Sequence, residues 1–103
     1  MNTKRMFGIE SLEKKFGPMS VGLFIKSFRE ADGISQTEYA RKLGISRANL
    51  CDIEKGRKLI SPERASKLAD RLGVSEAVLI QLALQDSLRE AKLDYTVELK
   101  AAS

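Results

Sequence analysis

The 103-residue chain has no histidine and only one cysteine, Cys51. Without histidine it lacks the side chain that most often works as a general base near neutral pH and most often ligates metals. No cluster with metal-ligand spacing takes its place, and no glycine-rich phosphate loop is present. Cys51 has no evident base beside it, so catalysis through its thiol is unsupported. An enzyme is therefore not expected, and neither is a cofactor or a metal. A single cysteine cannot close an internal disulfide, which suits a reducing cytoplasm. No run of about 18 apolar residues exists to span a membrane. The first residues also lack the apolar segment of a secretion signal.

What is present is charge, unevenly spread. Residues 1–60 carry 12 Lys/Arg and 7 Asp/Glu, whereas residues 61–103 carry 6 and 7. The N-terminal part is thus net +5 and the C-terminal part net −1 within a chain of +4. Between 41 and 58 the basic residues are Arg41, Lys42, Arg47, Lys55, Arg57 and Lys58, against Asp52 and Glu54. Such asymmetry points to one face for phosphate and another for protein, although a merely solvated basic surface has the same composition.

Helix starts are marked by serines that each follow an apolar residue: Ser20, Ser35, Ser46, Ser61 and Ser75. The first helix is expected over about 21–31, burying Val21, Phe24, Ile25 and Phe28 and ending near Gly33. Ser35 with Glu38 forms a capping box, with Ile34 and Tyr39 as its hydrophobic staple. This second helix buries Tyr39, Ala40 and Leu43 and stops at Gly44. Ser46 opens a third, which turns Leu50 and Ile53 inward and Arg47, Ala48, Cys51, Asp52 and Lys55 outward. Ser61-Pro62 opens a fourth, burying Ala65, Leu68, Ala69 and Leu72, with proline where its missing N–H does no harm. A fifth begins at Ser75, buries Val78, Leu79 and Leu82, and continues through Leu84, Leu88 and Ala91. Two crossed helices, the second with a polar outer face, fit the DNA major groove; an ordinary helical hairpin carries the same local features.

The stretch from Ser35 to Gly56 resembles the helix-turn-helix of the lambda-repressor-like XRE family. Gln36 opens the first helix of the pair, Ala40 and Gly44 hold the small-residue positions, Leu50 and Ile53 the core positions, and Glu54-Lys55-Gly56 the ending. The likeness covers about residues 19–84 and implies an all-α, five-helix bundle. It also implies that Ser46, Arg47, Ala48, Cys51 and Asp52 read base edges. Gln36, Arg41, Lys42, Asn49, Lys55, Arg57 and Lys58 are then the phosphate candidates. In the family an arginine late in the first helix often pairs with the glutamate ending the recognition helix, which here are Arg29 and Glu54; two separate surface charges are the alternative. Double-stranded DNA with a near-palindromic operator is the implied ligand, bound by a homodimer.

Three regions follow: an N-terminal segment over 1–18, the DNA-binding bundle over 19–84, and an extension over 85–103 that dimerises or binds a partner. Ile9, Leu12 and Phe16 fall at helical spacing before Gly17-Pro18, which reads as a short docking helix. Lys4 and Arg5 precede them as a basic arm or, the reading preferred here, as an unstructured end. In the extension Leu93, Tyr95, Val97 and Leu99 alternate with Asp94, Thr96, Glu98 and Lys100, which reads as a strand over 93–100. A lone strand needs a partner: its own copy, the N-terminal segment, or another sheet. A helical tail folded onto the core is the alternative. Leu84, Leu88 and the four apolar tail residues are the candidate dimer or partner contacts. Small XRE members with such an extension look like HigA-type antitoxins, which repress their operon and neutralise a toxin, commonly a small basic ribonuclease of the RelE-like fold. A free-standing regulator is the competing reading.

Overall fold

The computed structural model describes residues 19–102; the expected N-terminal helix and the arm at Lys4 and Arg5 lie outside these. Five helices follow in order: α1 (Val21–Asp32), α2 (Gln36–Leu43), α3 (Arg47–Glu54), α4 (Pro62–Leu72) and α5 (Glu76–Glu90). Four of the five serines cap as expected. Ser20 Oγ accepts the Leu23 N–H at 3.1 Å, Ser35 that of Glu38 at 3.2 Å, Ser46 that of Asn49 at 3.0 Å and Ser61 that of Arg64 at 3.2 Å. Each bond satisfies one of the N–H groups that a first helical turn leaves without a partner. Ser75 differs: it occupies the N-cap position of α5, but its hydroxyl makes no capping bond.

The apolar faces of all five helices close on one core. Phe24 and Ile25 of α1 meet Tyr39 and Leu43 of α2, Leu50 and Ile53 of α3, Leu68 and Leu72 of α4, and Leu79 of α5. Phe28, Val78 and Leu82, expected inside, stand half-buried at its margin. Met19, just before α1, and Ile60, in the α3–α4 connection, are in contrast fully enclosed at 2% and 4% exposure. Helix α4 packs most extensively on α5, α2 and α3 meet after the turn at Gly44, and α1 lies against both α3 and α5.

The strand expected over 93–100 does not form: the described residues are all-α, with no strand among them. Helix α5 ends at Glu90, Lys92 takes a left-handed φ of 60°, and the Leu93 N–H returns to the Leu88 carbonyl at 2.9 Å. That reversal also excludes the helical tail. The chain folds back along α5, where the Gln85 amide donates to the Tyr95 carbonyl at 2.7 Å and accepts the Val97 N–H at 2.8 Å. A strand needs a neighbouring backbone to bond with, and the bundle offers only this one side-chain amide.

Candidate nucleic-acid interface

The position of α3 is fixed from below by a buried polar junction. Arg29 of α1 donates from Nε to Glu54 Oε2 at 2.8 Å and from Nη2 to Oε1 at 3.0 Å, a fork-on-fork arrangement. Its remaining nitrogen reaches the Ile34 carbonyl at 3.2 Å, and the Gln36 amide donates to Glu54 Oε1 at 3.0 Å. The Glu54 side chain is 3% exposed and that of Arg29 15%. Burial pushes the Glu54 carboxyl up, but the bonds from Arg29 and Gln36 outweigh it and hold its pKa below the ordinary 4.5. The bond to Glu54 likewise raises the Arg29 guanidinium, against its own burial. Three elements, α1, α2 and α3, are tied at one carboxylate. A buried pair of this kind fixes orientation more than it stabilises.

Two residues that the sequence did not single out complete the setting. Gly22 lies where α1 meets the end of α3, and a Cβ there would fall 2.1 Å from the Ile53 carbonyl oxygen. Only glycine permits that approach. A glycine amid the apolar residues of a helix was the one available signal. Asp86 of α5 accepts the Val21 N–H at 3.0 Å and pairs with Arg89 at 3.2 Å, so it caps α1 from 65 residues away. Nothing local in the sequence announces such a contact. Burial raises the Asp86 carboxyl above its ordinary 3.8, and the bonds from Val21 and Arg89 offset this only in part.

On its outer side α3 presents Arg47 and Ala48, exposed, then Cys51 and Asp52, half-buried. Arg47 forms no ion pair within the described residues, which leaves its guanidinium available. After α3 the chain turns at Gly56, and Lys55, Arg57 and Lys58 follow on the exposed connection. Here the charges are partly engaged. Arg57 approaches Asp52 at 3.7 Å, and Lys58 donates to the Asn49 side chain at 3.1 Å. Arg41 and Lys42 are exposed on α2, with Lys42 Nζ 5.6 Å from the centre of the Tyr39 ring. Gln36 serves the Glu54 junction, and Ser46 the α3 cap. The base-reading and basic candidates are thus exposed or half-buried, as is Gln36 at the junction, while the side chains of Arg29 and Glu54 are largely enclosed.

Residues 25–79, just over half of the chain, match the helix-turn-helix family. This chain belongs to the XRE helix-turn-helix family. It is a helix-turn-helix DNA-binding regulator, not an enzyme. Two curated proteins are similar to it. The ImmF control region 10 kDa protein of Bacillus phage phi105 is 38% identical over 65 residues, covering 63% of this chain and 72% of that protein. Antitoxin PezA of Streptococcus pneumoniae serotype 4 is 31% identical over 80 residues, covering 78% of this chain but 49% of the antitoxin. No solved structure matches the chain. Among the described residues no helix is long and apolar enough to cross a membrane, and no group of side chains is placed to hold a metal ion.

Proposed function

We propose that this XRE-family regulator is a transcriptional repressor that binds a near-palindromic operator as a homodimer. The observation that carries the reading is a recognition helix clamped at Glu54 and Gly22 whose outer end leaves Arg47 and Ala48 exposed and uncommitted. Arg47 suits a guanine edge, Asp52 a cytosine amino group and the Ala48 methyl a thymine methyl, with Ser46 and Cys51 beside them. Lys55, Arg57 and Lys58 take the phosphates after the helix, Gln36 those at the start of α2, Arg41 and Lys42 those at its end, and Asn49 those at the start of α3. One recognition helix reads too few base pairs for useful specificity, so two copies set about one helical turn apart are required.

The test is an operator selected from random duplex by the purified chain. Arg47→Ala is expected to lose about 1–3 kcal/mol on that operator and much less on unrelated DNA. Equal losses on both would move Arg47 to the phosphate contacts.

A second reading is favoured by the likeness to an antitoxin, which extends over 78% of this chain. In it the repressor also neutralises a small basic toxin, of RelE-like fold in the resemblance described above, with the tail as the toxin contact. Affinity purification of the full-length chain from its native cells separates the two: a stoichiometric small protein supports the antitoxin, and self with DNA alone supports the free-standing regulator.

A further inference from the structure

We propose that the tail is a self-pairing device: residues 93–101 of two copies pair antiparallel, with the two-fold axis through Val97. The proposal rests on the dimeric reading above and names the surface that makes the dimer. Its first support is the half-satisfied backbone. In an extended segment alternate residues address opposite edges. The Tyr95 N–H turns back to the Leu93 carbonyl at 3.1 Å, and past that turn Gln85 takes the Tyr95 carbonyl and the Val97 N–H, both on one edge. The other edge, carried by Asp94, Thr96, Glu98 and Lys100, has no hydrogen bond to any described residue. A cleft of about 290 Å³ lies between the tail and α5, lined by Met19, Leu82 and Val97 among others. Leu93, Tyr95 and Leu99 stay 50%, 69% and 39% exposed.

Its second support is the register. Antiparallel pairing keeps apolar residues on one face only if odd positions meet odd positions. Centred on Val97, Tyr95 meets Leu99 and Val97 meets its copy, while Asp94 meets Lys100 on both sides of the axis. Centred one residue earlier, Asp94 would meet Glu98 and Lys92 would meet Lys100; one residue later, Glu98 would meet Glu98. Like charges directly opposite are unfavourable and unlike charges favourable, so of these three centres the charges favour Val97. The same centre makes Asp94–Lys100 and Thr96–Glu98 the hydrogen-bonded pairs, and these lie on the edge that Gln85 leaves open. Backbone edge, apolar face and charge thus agree on one partner, a second copy of this chain.

Two measurements on the full-length protein test this. At the axis the two Val97 Cα atoms fall about 4.5 Å apart, within disulfide reach. Val97→Cys is therefore expected to give an inter-chain disulfide under mild oxidation, located by peptide mapping, while Leu93→Cys and Leu99→Cys do so far more slowly. In sedimentation equilibrium, Asp94→Lys and Lys100→Asp are each expected to weaken the dimer on the order of tenfold. The two changes together are expected to restore it to within about twofold. Equal cross-linking at all three positions, or no recovery in the double variant, overturns the pairing. A dimer indifferent to all tail variants places the interface elsewhere and spares the repressor reading. A chain that is monomeric with and without operator overturns both, and is the result expected if the tail instead awaits another protein's sheet.

Discussion

Gly22 and Glu54 set α3 in different ways, one by leaving space and the other by filling it. Gly22→Ala places a methyl 2.1 Å from the Ile53 carbonyl oxygen, a backbone atom that cannot swing aside. Overpacking of this sort is expected to lower stability by about 1–3 kcal/mol, measurable by urea unfolding. Glu54→Gln leaves the Arg29 guanidinium with a weaker, neutral acceptor and is expected to cost about 1–3 kcal/mol near neutral pH. The Glu54 carboxyl titrates below its ordinary 4.5 in the folded chain. Its contribution is therefore fully present above that value and is lost as pH falls through the folded one; the Gln variant should show a shallower acid limb. Asp86 acts with the opposite sign, since its folded carboxyl lies above 3.8. Its contribution is complete below 3.8 and is lost as pH rises through the raised value. Asp86→Asn keeps an oxygen for the Val21 N–H, so its stability relative to the parent chain should climb with pH over that window.

At the scale of single helices the sequence was an adequate guide, because capping is local chemistry. Ser46 meets the Asn49 N–H at 3.0 Å, three residues away in the chain, and any helix beginning there would use it. Ser46→Ala is expected to cost about 1 kcal/mol in urea unfolding. The turn at Gly44 was equally legible, with φ +72° and the Arg71 guanidinium packed where a side chain would stand. The end of α5 was not. Lys92 takes a left-handed conformation that glycine adopts more readily, and no glycine marks the place. Lys92→Gly is therefore expected to raise the melting temperature, by roughly 0.5–1 kcal/mol of stability. The strand expected beyond it failed for a matching reason: period-two alternation describes which face a residue takes, but a ladder requires a second backbone that this chain alone lacks.

For the whole molecule the uneven charge distribution leads to a salt-dependent association. Each phosphate contact removed should reduce the slope of log affinity against log salt by about one. Substituting Arg57 and Lys58 together tests whether the connection after α3 lies in the interface; an unchanged slope removes it. The last core residue in the chain is Ala83, so ending the chain after Lys92 removes no core side chain. Such a truncation should unfold with a midpoint close to that of the full chain, yet associate and bind operator more weakly.

The sequence by itself determined the all-α class, the helix order, the caps, the placement of Arg47 and Ala48 outward, and the absence of histidine-based chemistry. These rest on contacts within about four residues or on the 3.6-residue period, both readable along the chain. Tertiary structure alone decided that Asp86 caps α1, that Gly22 admits the end of α3, that Gln36 joins the Arg29–Glu54 pair, and that Gln85 holds the tail. Each of these joins residues 10 to 65 positions apart. No periodicity encodes such contacts; they exist only once packing of the apolar faces has brought the elements together.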